Sequence, residues 1–355
     1  MAVNVLINGM GELGRRLFRM ILDKELSSSL TTDLTVTMIN DSVITDLNQL
    51  ARLLQYDTVY GRWKGYNIDV DTTTNELTVR NDTVLQTVKV YSAANVANLP
   101  LGENSIDISI DCTGRVTAAI LQSYKDNGSQ VAIGVKNASG TQPPCIVSGI
   151  NDQGRSATNG MAYSPYGNAI AIAQILDIIA EKYGVSSALT DEITAYKNLN
   201  NLEENAYPAY TDTSQIGRAG AWNIIPSHNN APKILGAIIP TLNGKANGDT
   251  REVAVITGAV MDCFVQTVKP VESADAIGVA IKTWLEVDHK DWQMEYADVG
   301  FVSSDMVGLP RTCFDAKTCV GVLAPNYIRV SVIYDPITVA AANAVLIGDY
   351  IYAKA

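Results

Sequence analysis

Hydrophobic and polar positions along the first 150 residues alternate in a way that predicts strands separated by helices. Short β-branched runs over residues 3–7, 34–40, 106–111 and 130–135 predict strands. Strands that are connected by helices favour a parallel sheet with helices packed on its faces. The predicted fold class for this region is therefore α/β, with a Rossmann-type parallel sheet.

Helices and a hairpin complete the predicted first region. Helical spacing of apolar residues indicates helices over residues 15–24, 44–54 and 118–125. Two strand-like segments, residues 66–70 and 76–80, are joined by a polar run and are predicted to form a hairpin.

The pattern changes after about residue 150, where strands and helices no longer alternate regularly. Residues 168–183 are apolar on nearly every face, which predicts a buried helix. Residues 252–268 alternate like one long strand, and residues 327–334 like another. A helix capped by Ser273 and a closing helix over residues 337–352, after Pro336, complete a predicted α+β domain.

Three regions follow from these patterns. We predict a Rossmann-type domain over residues 1–163, a central domain over residues 164–335 and a C-terminal helix, residues 336–355, that packs back on the first domain. Residues 196–222 are long, polar and turn-rich, and we predict that they form a surface or interface loop.

A glycine-rich run, N-G-M-G-E-L-G at residues 8–14, joins the first predicted strand to the first helix. In a G-x-G-x-x-G loop, Gly9 would make the tight turn, Gly11 would let the backbone approach a pyrophosphate, and Gly14 would let helix and strand pack closely. Asp41 ends the second strand, where an acid can bind ribose hydroxyls.

The sequence leaves open whether this loop holds a ligand. Glu12 places a negative charge inside the loop, which opposes phosphate binding. Asp41 is equally compatible with a ribose ligand and with a residue that caps its own loop. Thr113 is a further candidate contact, and NAD or an adenine nucleotide is the candidate ligand.

Composition excludes several classes of function. The net charge of −11 argues against nucleic acid and anionic membranes, which both favour basic surfaces. We expect no apolar run long enough for a membrane helix, and the first strand leaves no room for a signal peptide. Five scattered cysteines and two histidines without ligand spacing predict a cytoplasmic protein with reduced thiols and no metal site.

Several short runs, in order along essentially the whole chain, resemble one family. Residues 8–15 are similar to N-G-F-G-R-I-G-R, and residues 39–41 to I-N-D. The other similar runs are Q-Y-D at residues 55–57, N-I-I-P at 223–226, I-P-T-L-N-G-K at 239–245, V-S-S-D at 302–305 and F-D-A at 314–316. Together they resemble the phosphorylating glyceraldehyde-3-phosphate dehydrogenase family, which implies an NAD-binding domain, a catalytic α+β domain and a homotetramer.

The resemblance fails at the residues that carry the family's chemistry, a cysteine nucleophile activated by a histidine. The family's S-C-T-T-N-C aligns with residues 164–169, so Pro165 stands at the nucleophile position. A shift of one or two residues would place Tyr166 or Gly167 there instead. The family's H-A-I-T-A aligns with residues 191–195, so Asp191 replaces the histidine.

The implied ligand contacts are also altered. The arginine of the family's F-R-V-P-T aligns with Glu252, although a slip of one residue would let Arg251 serve. Tyr196 replaces a phosphate-binding threonine. In the family's Y-D-N-E-F-G-Y, Pro336 replaces the asparagine that holds the nicotinamide carboxamide, and Ala340 replaces the tyrosine that covers the ring.

These losses predict a pseudoenzyme with a structural or scaffolding role in a larger assembly. A cytoskeletal assembly is one candidate. We expect a homo-oligomer, either a tetramer or a dimer, with further protein partners that the residues do not identify. The alternative is a regulatory protein that binds NAD or an adenine nucleotide. A third hypothesis, an active dehydrogenase that uses Cys313 or Cys319, needs a base or cation beside the thiol.

Overall fold

The computed structural model describes residues 2–140, 142–152, 159–197, 200–204, 217–288 and 293–354. The chain forms two compact units. The first comprises Met1–Ser148, Asp152–Pro165 and Ala340–Ala355, and the second comprises Gly149–Asn151 and Tyr166–Val339. The units thus divide at residues 165/166 and 339/340, whereas the sequence-based limits are 163/164 and 335/336.

The first unit contains ten strands and three complete helices among its described residues. The strands are β1 (Val3–Asn8), β2 (Leu34–Asn40), β3 (Tyr56–Asp57), β4 (Gly61–Arg62), β5 (Asn67–Asp71), β6 (Glu76–Arg80), β7 (Leu85–Tyr91), β8 (Ile108–Asp111), β9 (Val131–Val135) and β10 (Met161–Ser164). The helices are α1 (Glu12–Leu22), α2 (Leu47–Gln55) and α3 (Ala118–Asp126).

Eight of these strands form one sheet in the order β10-β9-β8-β1-β2-β7-β6-β5. The strands from β10 to β7 are parallel, and β5 and β6 continue the sheet as an antiparallel hairpin. The strand order reverses at β1, which lies between β8 and β2. The loop that follows β1 therefore lies at a topological switch point of the sheet. The predicted Rossmann-type sheet is therefore confirmed.

Two helices of the first unit differ from the predicted bounds because their caps decide them. Helix α1 starts at Glu12, directly after Gly11, and its C-terminal turn is closed by N–H groups of Lys24 and Glu25 that donate to Ile21 and Met20. Helix α2 starts three residues later than predicted, because the carboxylate of Asp46 accepts from the N–H of Asn48 and caps it.

The second unit contains eight strands and three complete helices among its described residues. The strands are β11 (Val185–Ala195), β12 (Ile225–His228), β13 (Ala246–Val253), β14 (Ala259–Thr267), β15 (Met294–Ala297), β16 (Thr312–Asp315), β17 (Val320–Ala324) and β18 (Tyr327–Tyr334). The helices are α4 (Gly167–Tyr183), α5 (Ala231–Ile238) and α6 (Ala274–Thr283), and α7 (Pro336–Ala353) follows.

These strands form a mostly antiparallel sheet in the order β12-β13-β11-β14-β18-β16-β15, with β17 paired to β18. The buried helix α4 packs on β11, β14 and β18. The predicted α+β domain is confirmed, but the single long strand over residues 252–268 is wrong. Residues 254–258 form a turn between β13 and β14, where Gly258 adopts a φ of +95° that few other residues tolerate.

Helix α7 begins at Pro336, since the buried carboxylate of Asp335 accepts from the N–H groups of Ile337 and Thr338. By length and composition α7 is apolar enough to cross a membrane, so the expectation that no such run exists is wrong. However, 72% of this segment is buried inside the protein, as is usual for a core helix. From Ala340 onward, α7 belongs to the first unit.

Asp177 on α4 provides a test of packing in the second unit. Burial, together with the charge of Glu181 one turn later, raises its pKa to about 6. Between about pH 4 and pH 6, the Asp177 carboxyl is therefore protonated in the folded state and ionised in the unfolded state. Stability should fall as the pH rises through this window.

The substitution Asp177→Asn removes the cost of ionising this side chain. We expect it to raise the free energy of unfolding at pH 7.5 by roughly 1 kcal/mol, and to change it little at pH 4. Urea denaturation at both pH values measures the difference, with the exposed Asp82→Asn as the matched control. Equal stability of D177N and the wild type at pH 7.5 would contradict the assignment.

Candidate functional site

The glycine loop of the first unit has the geometry that the sequence predicts. Gly9 follows β1 with a φ of +93°, a conformation that favours glycine. A Cβ atom on Gly14 would lie 1.9 Å from the carbonyl oxygen of Gly9, so only glycine allows this close approach. A Cβ atom on Gly11 would meet nothing within 4 Å, which leaves the N-terminus of α1 open for a ligand to approach.

Asp41 braces this loop from the end of β2. One carboxylate oxygen accepts from the N–H of Met10 at 2.7 Å, and the other accepts from Val43 and Ile44 at 2.8 and 2.9 Å. The side chain is only 8% exposed. A carboxylate has about four acceptor positions, so three are used by the protein and about one remains for a ribose hydroxyl.

A buried polar network joins the carboxyl ends of β1, β2 and β8, and the sequence reasoning missed it. Asp111 accepts from the hydroxyl of Tyr124 at 2.9 Å and from Asn8 at 3.3 Å, and Asn40 donates to Asn8 at 2.7 Å. The available signal was that each of these three apolar strands ends in a polar residue. The exposed Thr113 donates through its N–H and hydroxyl to Asp111, which fixes the loop after β8.

Charge around the glycine loop is unfavourable for phosphate. Glu12 lies exposed in the first turn of α1, where the family has an arginine. Arg15 donates to the carbonyl of Met10 at 3.1 Å and pairs with Asp57 at 3.2 Å, so its guanidinium is engaged within the protein. The loop geometry thus fits an adenosine diphosphate moiety, whereas the charge of Glu12 opposes it.

In the second unit, helix α4 starts where the family has its nucleophile. Tyr166 is the N-cap residue of this helix. No residue from 164 to 169 is a cysteine. Gly167 is packed so closely that an added Cβ atom would lie 2.3 Å from the carbonyl oxygen of Pro336. None of the three residues that align with the nucleophile position, Pro165, Tyr166 and Gly167, has a thiol.

The five cysteines are all at least partly buried. Cys112 is half-buried and the other four are buried. Burial raises the pKa of Cys112 and Cys263, and nearby Asp111 and Asp262 raise it further. Burial also raises the pKa of Cys319, and raises that of Cys313 to about 12. These four thiols are protonated at neutral pH and are poor nucleophiles.

Asp191, which aligns with the family's histidine, forms an ion pair rather than facing α4. Its carboxylate lies 2.5 Å from a guanidinium nitrogen of Arg251 on β13, and the two side chains are 37% and 40% exposed. A shift of the alignment by one residue would place Arg251 at the family's phosphate-binding arginine. Arg251 is thus paired with a carboxylate. Neighbouring strand residues point to opposite faces, so Glu192, not Asp191, faces α4.

Glu192 is the centre of a buried network that sequence reasoning missed. The side chain is 3% exposed, and one oxygen accepts from the hydroxyl of Tyr334 at 2.7 Å. The other oxygen accepts from Thr250 at 2.9 Å, Asn168 at 3.3 Å and Asn229 at 3.4 Å. Burial and the charge of Glu192 raise the pKa of Tyr334 well above its usual range. The local sequence pattern gave no signal for it, because the apolar residues Leu189 and Ile193 of β11 lie on the exposed side while Glu192 is buried.

The other two residues that align with the family's anion contacts are Glu252 and Tyr196. Glu252 is buried and pairs with Lys197 at 2.8 Å, whereas Tyr196 is half-exposed. His228 is exposed and lies 3.6 Å from Asp249. His289, and residues 198–199 and 205–216 of the predicted surface or interface loop, lie outside the described residues.

At the start of α7, Pro336 has no side-chain group that could hold a carboxamide. Ala340 is buried and has no ring. The adenosine side of a dinucleotide thus finds matching geometry in the first unit, but the family's nicotinamide contacts are not reproduced by these two residues.

A glycine loop at the switch point of a parallel sheet, with a second unit built on a mostly antiparallel sheet, defines a protein with a Rossmann-type dinucleotide-binding domain. The family model described as glyceraldehyde 3-phosphate dehydrogenase, NAD binding domain, matches residues 3–119, and the C-terminal domain model matches residues 167–336.

Similar proteins carry the same family name. Glyceraldehyde-3-phosphate dehydrogenase 2 of Streptomyces avermitilis is 30% identical over 341 residues, which cover 94% of each chain. The enzyme named glyceraldehyde-3-phosphate dehydrogenase in Streptomyces coelicolor is 30% identical over 89% of each chain, and that of Mycobacterium avium is 29% identical over 88% of each. The chain belongs to the glyceraldehyde-3-phosphate dehydrogenase family, and its low identity marks it as divergent.

The Glu192 network leads to a stability prediction. In Glu192→Gln, an amide NH₂ would face donors that now bind a carboxylate oxygen, so buried polar groups would lose partners. We expect the free energy of unfolding to fall by about 2–4 kcal/mol, measured by urea denaturation at pH 7.5. The matched control Glu252→Gln keeps an acceptor for the half-exposed Lys197 and should cost about 1 kcal/mol or less. Equal costs of the two substitutions would contradict a special role for Glu192.

Proposed function

We propose that the chain is a catalytically inactive member of its family with a structural or scaffolding role. The observation that carries the proposal is the proline at position 165, aligned with the cysteine nucleophile, in a segment without any thiol. Loss of a nucleophile alone typically removes several orders of magnitude of rate. The raised pKa values of Cys112, Cys263, Cys313 and Cys319 support the proposal, because a protonated thiol cannot attack an aldehyde efficiently.

The electrostatics at the start of α4 support the same conclusion. An active family site needs positive potential or a base to stabilise a thiolate. Here the carboxylate of Glu192 reaches Asn168 in the first turn of α4, and its charge contributes to the raised pKa of Tyr334. A negative charge at this place disfavours a second anion nearby. The ion pair of Asp191 with Arg251 supplies neither a free base nor a free cation.

The scaffolding role is supported by the exposed side of the second sheet. On the side away from α4, an open sheet face contains the exposed apolar residues Leu189, Ile193, Phe264 and Tyr327, and Leu189 is directly opposite Phe264 in the β11–β14 ladder. Trp222 is 87% exposed. Exposed apolar and aromatic side chains on an open sheet face, here beside the charged Asp191 and Arg251, are common at protein–protein interfaces, and tryptophan is enriched among residues that dominate binding.

We assign this open sheet face to self-association, as a dimer or a tetramer. The proposed location is the cytoplasm. There the protein would belong to a larger assembly with further protein partners, and a cytoskeletal assembly is one candidate. The acidic composition supports partners other than nucleic acid or anionic membranes.

A regulatory protein that binds NAD or an adenine nucleotide is the second candidate function. It is favoured by the open approach to Gly11 and by the match of residues 3–119 to an NAD-binding domain. In that case NAD should raise the melting temperature of the wild type, and Gly11→Ala should remove the shift without changing the melting temperature of the ligand-free protein. No shift with NAD, ATP or ADP-ribose at millimolar concentration would count against this candidate.

Catalytic inactivity is tested by direct assay. With glyceraldehyde 3-phosphate, NAD and inorganic phosphate, we expect NADH formation no faster than in a blank without protein, because the chain supplies no activated thiol. The relative from Streptomyces avermitilis, assayed beside it, is the positive control. A rate of NADH formation that increases in proportion to the concentration of this protein would refute the proposal.

Self-association is tested by sedimentation velocity over a range of protein concentrations. The wild type should sediment as a dimer or a tetramer, and Phe264→Asp should raise the dissociation constant by about 100-fold, because a carboxylate would be buried in an apolar interface. Leu85→Asp, which alters a more exposed apolar side chain on β7 of the first unit, is the control for an added surface charge and should leave the assembly unchanged. A monomeric wild type, or an assembly indifferent to F264D, would contradict this role of the open sheet face.

A further inference from the structure

The first unit contains a pocket of about 230 Å³ that belongs neither to the glycine loop nor to the second unit. Its lining is mainly apolar and buried, and it comprises Met20, Ile21, Leu26, Leu30, Leu34 and Val345. Lys24, Ser27, Thr32 and Asp33 also line it and supply its polar groups. This volume lies below the roughly 300–1,000 Å³ of sites for drug-sized ligands, so it suits a smaller molecule.

The pocket is separated from the glycine loop by the length of the parallel strands. It lies beside Leu34, where β2 begins, and beside the C-terminal end of α1. The glycine loop follows the opposite end of the sheet, where β1 ends and α1 begins. A ligand in this pocket would therefore not compete with a nucleotide.

The wall of the pocket is held in place by a carboxylate. Asp349 on α7 is buried and accepts from both the N–H and the hydroxyl groups of Thr31 and Thr32, at 2.5–3.0 Å. The N–H groups of Ser29 and Leu30 donate to the carbonyl of Leu26, which closes a turn in the same segment. These bonds fix the segment between α1 and β2, whose Leu26, Leu30 and Thr32 line the pocket.

The mouth of the pocket carries one cation in an unusual backbone position. Lys24 closes the C-terminal turn of α1 with a φ of +54°, at a place where helices usually have glycine. A side chain in this conformation costs about 1 kcal/mol relative to glycine. Its ammonium lies 3.2 Å from the carboxylate of Asp33, and both side chains are mostly exposed. An exposed pair of this kind contributes only about 0–1 kcal/mol, so it does not account for the lysine and is easily opened by a ligand.

We infer that this pocket binds a free α-amino acid with an apolar side chain, such as leucine. The ligand's ammonium group would pair with Asp33 and its carboxylate with Lys24, while the hydroxyl of Ser27 could donate to the carboxylate. The ligand's side chain would fill the apolar space between Met20, Leu26 and Leu34. A zwitterion matches both charges at the mouth, whereas a fatty acid would bring its carboxylate towards Asp33 and an alkyl amine would bring its ammonium towards Lys24.

Titration calorimetry with L-leucine tests this inference on the full chain, and hexanoate and hexylamine serve as probes with a single charge. We expect L-leucine to bind with a dissociation constant on the order of 1 mM or tighter. Lys24→Gly and Asp33→Asn should each weaken binding at least about tenfold, since each removes a hydrogen bond to a charged group. Lys24→Gly should also keep or raise the melting temperature, which shows that the fold is intact. The exposed Lys64→Ala is the matched control and should bind as the wild type does.

The inference is overturned if L-leucine produces no binding heat at 10 mM, a limit about tenfold above the expected constant. It is equally overturned if hexanoate or hexylamine binds as tightly as L-leucine, or if both Lys24→Gly and Asp33→Asn bind L-leucine as the wild type does. Leu30→Trp, which places a larger side chain at the half-buried edge of the pocket, should abolish binding while the protein stays folded.

Discussion

A buried carboxylate that accepts hydrogen bonds from uncharged side chains is the constraint on which the second unit depends. An ionised group in an apolar interior is very costly unless its acceptor positions are hydrogen-bonded. Glu192 satisfies this requirement with donors from four places in the unit: Asn168 at the start of α4, Asn229 before α5, Thr250 on β13 and Tyr334 on β18. The network therefore joins the buried helix to the sheet at the place where the family performs its chemistry.

The same physical principle connects the altered positions with one another. Where the family has an arginine and a histidine, this chain has acids: Glu12 aligns with the arginine, and Asp191, which is paired with Arg251, aligns with the histidine. Asp41 and Asp111 likewise accept hydrogen bonds from backbone and side chains around the glycine loop. Such groups stabilise loops and helix starts, and they make both units poor environments for further negative charge.

Sequence patterns predicted most of the architecture, because strongly apolar periodic segments are decided locally. The bounds of β2 and β18 match their predicted runs, and α4 differs by one residue. Helix ends were less accurate, since hydrogen bonds decide them: Asp46 caps α2 three residues later than predicted, and the closing turn at Lys24 ends α1 at Leu22. The turn at Gly258 was missed because alternating residues continue on both of its sides.

The site was less predictable than the fold, for a physical reason. Motif alignment identified Pro165 and Asp191 as replacements, but it cannot tell which neighbour on a strand faces a helix. That depends on the register of β11 against β13 and β14, which places Glu192, not Asp191, towards α4. The partners of Glu192 are distant in sequence, so no local pattern announces them. The pocket between α1 and α7 escaped sequence reasoning for the same reason.

The central claim, that the chain has no activated nucleophile, is tested most directly by the reactivity of its five cysteines. The native protein would be treated with a small excess of iodoacetamide at pH 7, and the labelling rate of each cysteine would be followed by mass spectrometry. The account predicts that every cysteine reacts more slowly than free cysteine, because all five are at least partly buried and burial raises the pKa of Cys112, Cys263, Cys313 and Cys319. One cysteine that is labelled much faster than free cysteine, and is protected by NAD or substrate, would contradict it.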